Sequence, residues 1–236
     1  MTKLAIVASA IAATTTSFAG PLLTVSGSVG GYAPITASST GTATATAGRY
    51  SYIGGLVSNF PSPDWAISWD LVGDETSSSS TSSFVTNGFR VQNFTGASKT
   101  FDITLSLVSP GKSGINWQGY ALLGGTLTSD ATGSTATLTS TGPLWTGRIN
   151  GADVAASALM SGASVSTALT TSFGPVTSTS AKSVAGALTD IGYRMQFTLG
   201  ARSTAVFTGY WEVVPAPGAF ALMAVAGAVG RRRRTN

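Results

Sequence analysis

Residues 101–108 read Phe-Asp-Ile-Thr-Leu-Ser-Leu-Val, with apolar side chains at 101, 103, 105 and 107 and polar ones at 102, 104 and 106. Successive side chains of a β-strand point to opposite faces of its sheet. A period of two therefore predicts a strand with one face in an apolar core and the other in solvent.

Similar short runs flank this segment and are separated by turn-forming residues, as in an all-β sandwich or barrel. Charged residues make up only 9% of the chain, which leaves few surface helix formers. Ser and Thr together make up over a quarter of it, and these residues suit the solvated face of a pleated sheet, so the composition favours strands. We predict an antiparallel β-sandwich of jelly-roll or Ig-like type over residues 20–212. Its candidate strands are residues 22–29, 43–47, 50–57, 65–72, 84–94, 100–108, 117–128, 134–139, 194–199 and 203–214.

Turn chemistry suggests how some of these strands connect. Residues 93–98 predict a hairpin between the strands at 84–94 and 100–108, and the Ser-Pro-Gly-Lys sequence at 109–112 predicts a turn that closes the second strand. Residues 151–161 predict a short helix or a loop across the end of the sandwich. The serine-rich residues 75–83 predict a long loop within one domain, because the part before them is too small for a core of its own.

The positive net charge of +4 comes largely from the chain ends. Lys3 and the four residues Arg231, Arg232, Arg233 and Arg234 carry five of the 13 basic groups, so the remainder of the chain is nearly neutral. A body without a basic stripe lacks the counterion release that drives binding to nucleic acid, so we predict no nucleic-acid partner.

Cysteine and histidine are both absent. Their absence excludes disulfides, thiolate nucleophiles, Cys/His metal sites and Ser-His or Cys-His catalytic pairs. We predict no metal site, no cofactor and no catalytic residues.

The N-terminus predicts a cleaved signal peptide over residues 1–19. Lys3 precedes an apolar run at residues 4–13, and small residues lie at the −3 and −1 positions of a cut between Ala19 and Gly20. We expect the run to form a signal helix that is too short to span a bilayer stably. The predicted partners are the secretory translocase and signal peptidase.

The C-terminus, residues 213–236, has three parts. The first is the motif Val214-Pro215-Ala216-Pro217-Gly218, the second an apolar run at 219–230, and the third the cluster of four arginines. As a helix the run would extend about 18 Å, short of the roughly 30 Å hydrocarbon core. The arginines favour the cytoplasmic side, so the run predicts transient anchoring in the inner membrane with the body outside. A tail anchor or a lipid-binding amphipathic tail fits less well, because the run is short and has no polar face.

This tail resembles the PEP-CTERM sorting signal, in which a Val-Pro-Glu-Pro motif, a hydrophobic helix and an arginine cluster are processed by exosortase-type membrane peptidases of Gram-negative bacteria. Residues 214–218 carry the match. They depart from the usual motif at Ala216, where the family has Glu, and resemble its Pro-Ala-Pro-Gly variants. The resemblance implies an exosortase-like partner, and it covers only the tail.

Some body residues are candidates for chemistry. Asp64, Asp70, Asp74 and Glu75 surround two tryptophans, which would suit a glycosidase. We expect instead that these acids are mostly solvated turn residues, and Asp74 and Glu75 are weaker candidates for calcium. Three lysines, Lys99, Lys112 and Lys182, could pair with serine, but the Ser109-x-x-Lys112 match lacks the helix that such sites use, so we attribute it to chance.

The tryptophans could form a polysaccharide-binding platform or belong to the core, and the core is the default for each. They are Trp65, Trp69, Trp117, Trp145 and Trp211.

Taken together, the sequence predicts a non-enzymatic structural or adhesive protein, secreted or held at the surface of a Gram-negative-type bacterium, with extracellular polysaccharide as a candidate partner. The alternatives are a secreted carbohydrate-binding β-sandwich module and, third, a polysaccharide hydrolase. An exposed aromatic strip would favour the module, and two facing carboxylates in a cleft would favour the hydrolase.

Overall fold

The computed structural model describes residues 20–59, 61–75, 81–112, 116–183 and 187–215. These residues form β-strands together with a 3₁₀ turn at Ala155–Ser157. In chain order the strands are β1 (Leu22–Val29), β2 (Ile35–Thr40), β3 (Thr42–Ala43), β4 (Arg49–Val57), β5 (Trp65–Asp74), β6 (Ser82–Asn93), β7 (Lys99–Lys112), β8 (Asn116–Ser129), β9 (Ala136–Thr139), β10 (Pro143–Ile149), β11 (Ala152–Asp153), β12 (Leu159–Ser161), β13 (Ser164–Thr167), β14 (Thr170–Ser183), β15 (Leu188–Leu199) and β16 (Ser203–Pro215).

The strands form two antiparallel sheets. The first sheet has the order β11-β10-β15-β7-β1-β2, with β12 beside β10, β9 beside β15 and β13 beside β9. The second sheet has the order β14-β8-β16-β6-β5-β4-β3. The prediction of an all-β, sandwich-like fold with two antiparallel sheets is confirmed. The helices predicted at the two chain ends fall on residues outside the described ranges.

The core lies between the sheets and follows the period of two along the strands. In β7 the side chains at 101, 103, 105 and 107 are buried, while those at 102, 104 and 106 are not. In β5 the buried side chains are those at 65, 67, 69 and 71. Burying each such large apolar side chain stabilises the fold by about 1.5–3 kcal/mol, so this alternation holds the two sheets together.

The predicted hairpin between residues 84–94 and 100–108 is wrong. β6 pairs with β5 and β16 in the second sheet, whereas β7 pairs with β1 and β15 in the first, so the connection crosses the end of the sandwich. Asn93 stabilises this connection between the sheets. Its buried side-chain amide donates to the carbonyl oxygens of Ala97, Leu199 and Gly200, and its Oδ1 accepts from the Thr95 amide at 3.1 Å. Apolar alternation is the same for a hairpin and a crossing, so the pattern could not separate them.

Two further segments differ from expectation. Residues 109–112 continue β7 instead of turning, since Lys112 pairs with Leu188 of β15. Residues 151–161 contain β11, the 3₁₀ turn and β12, so the predicted choice between a short helix and a loop was too simple.

Some strands carried little sequence signal. β2 and β14 are edge strands with mostly exposed or half-exposed side chains, so their Ser/Thr-rich sequences show no apolar alternation. In β10 the inward position at Gly147 has no side chain, because a Cβ there would lie 2.6 Å from Cη2 of Trp211. The indole of Trp211 occupies that space, which breaks the apolar pattern of β10.

Candidate functional site

A shallow cleft of about 520 Å³ opens on the outer face of the first sheet. Its walls are polar and combine two acidic with two basic side chains. The lining residues are Gly27, Ser28, Asp102, Thr104, Arg148, Asp153 and Arg194.

The strand period places these side chains together. Asp102 and Thr104 occupy the outward positions of β7, the same positions that the sequence assigned to the polar face. Arg194 of β15 lies directly opposite Thr104, and Asp153 of β11 lies opposite Arg148 of β10. Three neighbouring strands and one short edge strand therefore present their charges to the same surface.

A continuous network of charged contacts runs across the cleft. Arg194 binds Asp102 with two nitrogens, Nε to Oδ1 at 2.8 Å and Nη2 to Oδ2 at 2.5 Å, and Gln196 donates to the same Oδ2 at 3.1 Å. The Arg194 Nη1 also lies 3.6 Å from Oδ2 of Asp153, whose Oδ1 accepts from Arg148 Nε at 2.8 Å. Bidentate arginine–carboxylate pairs of this kind fix the orientation of both groups.

The contact between Arg194 and Asp102 shifts the pKa of both groups. The hydrogen bonds from Arg194 lower the pKa of Asp102 below its usual value, and the charge of Arg194 adds to that shift. The hydrogen bond to Asp102 raises the pKa of Arg194. The Asp102 carboxyl is therefore an anion near neutral pH and a poor proton donor, which does not suit the acid of a glycosidase.

We expect this network to make the fold sensitive to acid. The folded-state pKa of Asp102 is lowered, so its stabilising contribution is complete above the unfolded value of about 3.9 and is lost as the pH falls through the folded value. The stability difference between wild type and Asp102→Asn, measured by urea unfolding, should shrink as the pH falls from about 6 to about 3. A difference that is constant across that range would contradict the network's role.

Core contacts fix the strands that lie under the cleft. The indole N–H of Trp211 donates to the main-chain oxygen of Arg148 at 3.2 Å, from the second sheet to β10 of the first. Gly192 of β15 lies between Arg148 and Ser106 in register, and a Cβ there would lie 2.0 Å from the Leu105 oxygen. The strands under the cleft are thus packed too closely for a side chain at this position.

The acidic residues near Trp65 and Trp69 do not form one site. Asp70 is exposed on β5, and Asp74 pairs with Arg49 at 3.2 Å. Asp64 accepts hydrogen bonds from the hydroxyl of Tyr32 and, at 2.8 Å, from Asn59, and the Tyr32 bond lowers its pKa. These contacts give Asp64 a structural role at the end of the sandwich.

Glu75 was predicted to be a solvated turn acid, and this is wrong. Its side chain is fully buried between the sheets, 3.2 Å from Nζ of Lys112. Its Oε2 also accepts from the hydroxyls of Ser82 at 3.0 Å and Ser109 at 3.1 Å. Ser109 and Lys112, whose spacing we attributed to chance, therefore both contact the same carboxylate. The sequence did not indicate this contact, because Glu75 lies far from both residues along the chain.

The proposed calcium role of Asp74 and Glu75 does not fit this arrangement, because each carboxylate already contacts a cationic side chain. Among the residues with described positions, no group of three or more acidic side chains is placed to hold a metal ion. Lys99 lies elsewhere, with its Nζ 4.8 Å from the centroid of the Tyr32 ring. Lys182 is part of β14.

The tryptophans belong to the core, as the default prediction stated. All five are buried, the most accessible being Trp69 with 5% of its surface exposed. None of them forms a platform for sugar rings. Trp145 and Trp211 meet across the two sheets with ring centroids 5.6 Å apart in an edge-to-face arrangement.

The predicted processing sites lie at the margins of the described fold. Gly20 is buried and donates its N–H to the Gly41 oxygen at 3.2 Å. Val214 and Pro215 are the last residues of β16, opposite Gln118 and Trp117 of β8. The remaining residues of these sites, Ala19, Ala216, Pro217, Gly218 and the arginines at 231–234, are outside the described part of the chain. Within that part, no helix has the length and apolarity needed to cross a membrane.

Comparisons with known proteins add little to this geometry. No protein-family model matches the chain, and no curated protein matches it. One solved structure with some likeness is TmCBM61 in complex with β-1,4-galactotriose, at 11% identity over 61% of this chain and 86% of that chain. The TM-score of 0.20 is too low for this likeness to carry an argument about fold or function.

Proposed function

We propose that the protein is an exported structural or adhesive component of the cell surface or extracellular matrix, sorted by residues 213–236. In this proposal the β-sandwich, of jelly-roll or Ig-like type, is the mature body. The secretory translocase, signal peptidase and an exosortase-like peptidase act on its two ends, and residues 219–230 hold it transiently at the inner membrane of a Gram-negative-type bacterium.

The observation that carries the proposal is the position of the sorting motif relative to the last strand. β16 lies between β8 and β6 inside the second sheet and continues to Pro215. Proline has no N–H to extend a ladder, and the next proline follows two residues later. The motif therefore overlaps the last two described residues of β16, and a peptidase acting beyond Pro215 would leave the described pairing of this strand intact.

The proposal predicts two cuts, which mass spectrometry of protein recovered from the cells and medium of an exosortase-containing bacterium can locate. We expect extracellular material to begin at Gly20 and to lack Arg231–Arg234. A control in which all four arginines are replaced by alanine should accumulate in an unsorted, unprocessed form. Extracellular wild-type protein that retains the arginine cluster would contradict the proposed sorting. Extracellular protein that begins at Met1 or Thr2 would contradict the proposed signal peptide.

The cleft favours carbohydrate binding as a second candidate function. Its side chains offer guanidinium, carboxylate and hydroxyl groups at a solvent-open surface, and the amide of Gln196 contacts one of its carboxylates. These are groups that hydrogen-bond sugar hydroxyls. No buried tryptophan contributes to it, so recognition would be polar and weak.

Affinity electrophoresis in gels containing acidic and neutral bacterial polysaccharides tests this second function. Replacing Arg194 with Met should weaken any retardation about tenfold, since each lost charge-assisted hydrogen bond is worth roughly 1.5–3 kcal/mol. Arg90→Met, which removes an exposed arginine from the other sheet, is the matched control and should leave the retardation unchanged. Equal retardation of wild type and the Arg194 variant would exclude the cleft as the binding surface.

A further inference from the structure

Glu75 and Lys112 form a buried ion pair in which the hydrogen bonds fall on only one of the two carboxylate oxygens. The side chains of Glu75 and Lys112 are 0% and 5% exposed, and Nζ of Lys112 lies 3.2 Å from Oε2. Within the described chain, Oε1 of Glu75 is buried and has no hydrogen-bond partner. All three donors, Lys112, Ser82 and Ser109, converge on Oε2.

The pair also links the two sheets. Glu75 follows the last residue of β5 in the second sheet, while Lys112 is the last residue of β7 in the first. Ser82 and Ser109, whose hydroxyl oxygens are 3.3 Å apart, come from one strand of each sheet. A bond between the two charged side chains would join the sheets at this end of the sandwich.

We propose that Glu75 and Lys112 condense to an intramolecular amide, a covalent cross-link that the folded protein forms by itself. This inference goes beyond the proposed function and does not depend on it. The C–N bond forms between Lys112 Nζ and Glu75 Cδ, and the bond between Cδ and Oε2 breaks. The ammonium loses two of its three protons, both of which go to the departing oxygen, and that oxygen leaves as water. No oxidant, reductant or further reactant is required.

The surroundings favour each step. Exclusion of water disfavours the separated charges, and transfer of one proton within the pair gives a neutral amine beside a neutral carboxyl, the forms that react. Burial raises the pKa of Glu75, in the direction of the neutral carboxyl, while the charge of Lys112 and the serine hydrogen bonds oppose this shift. The hydroxyls of Ser82 and Ser109 touch the departing oxygen and are placed to relay protons to it.

The proximity of the two reacting groups raises the rate of the condensation. Two polar contacts hold the Nζ of Lys112 in place. It lies 3.2 Å from Oε2 of Glu75, and it donates a hydrogen bond to the main-chain oxygen of Thr81. Reactive groups fixed in contact inside a protein reach high effective concentrations, so a reaction that is very slow between free molecules becomes accessible. The cross-linked product would have fewer conformations available to its unfolded chain, which stabilises the folded state, as any cross-link does.

Tryptic digestion of the denatured full-length chain tests the proposal. Without the bond, trypsin releases residues 50–90, 100–112 and 113–148 as separate peptides. With the bond, Lys112 is no longer a cleavage site, so 50–90 should appear joined to 100–148 at a mass one water below their sum. Fragmentation should localise the link to Glu75 and Lys112, and the intact protein should also be lighter by one water.

Lys112→Arg keeps the positive charge but cannot form the same amide, so its peptides should be unlinked. Lys99→Arg, the same change at a site distant from Glu75, is the matched control and should remain linked. The wild-type digest decides the question even if the Lys112 variant fails to fold. Wild-type protein of unmodified mass that releases 100–112 in full, or a link at another acid, overturns the proposal.

Discussion

Replacing Trp211 with alanine is expected to lower the free energy of unfolding by about 3–5 kcal/mol, in the range of large aromatic truncations in a core. The side chain is fully buried between the sheets, packs edge-to-face on Trp145 and donates to the Arg148 oxygen. Its truncation removes these contacts together, and urea unfolding followed by circular dichroism measures the loss.

Two glycines make this prediction sharper. A Cβ at Gly147 would lie 2.6 Å from the Trp211 ring, and one at Gly119 would lie 2.1 Å from it. Gly147→Ala should therefore destabilise the wild type by overpacking, typically by about 1–3 kcal/mol, and be tolerated or favourable once Trp211 is alanine. Ile53→Ala, at a side chain that is 74% exposed, is the control and should have little effect. Additive effects of the Gly147 and Trp211 changes would contradict the packing described here.

The second large effect is expected at the buried charge pair. Lys112→Met should lower the free energy of unfolding by about 3–5 kcal/mol at neutral pH, because Glu75 is left as a buried carboxylate without its cation. Adding Glu75→Gln should recover much of this loss, since the amide oxygen can still accept from Ser82 and Ser109. Both variants lack any Lys112 cross-link, so their comparison isolates the cost of the charge.

The Lys112→Met variant also has an expected pH profile. Burial raises the pKa of Glu75 and the Lys112 charge opposes the rise, so removing Lys112 raises it further. A carboxyl whose folded pKa is raised favours the folded state below the unfolded value of about 4.3, and that contribution is lost as the pH rises through the folded value. The variant should thus be more stable near pH 5 than near pH 8 by thermal melting, and the double variant should not share this trend.

Several features of the fold could be predicted from the sequence because they depend on local pattern. The alternation at 101–108 identified β7 and its buried face, and similar runs located β1, β4, β5, β8 and β16 closely. The preference of tryptophan for the core held for all five residues. The polar face of β7 supplies two residues of the cleft, Asp102 and Thr104, although the sequence did not mark them as a site.

Strand pairing and the charged clusters could not be predicted in this way, because they bring together residues far apart in the chain. Asp102 meets Arg194 only when β7 and β15 pair, and Glu75 meets Lys112 only when the two sheets close on each other. Glu75 looked like a loop acid because its neighbours along the chain are polar. Two of the partners that contact its carboxylate, Ser109 and Lys112, are 34 and 37 residues away.

The sequence by itself determined the strand content of this protein, the inward face of its clearest strands and the near-neutral charge of its body, because each follows from residues close together along the chain. The tail motif, which is also local, is the basis of the proposed sorting route. The tertiary structure alone decided which strands pair, which acids are buried and where the cleft forms. Pairing and burial depend on the summed packing of two sheets, and no short stretch of sequence records that sum.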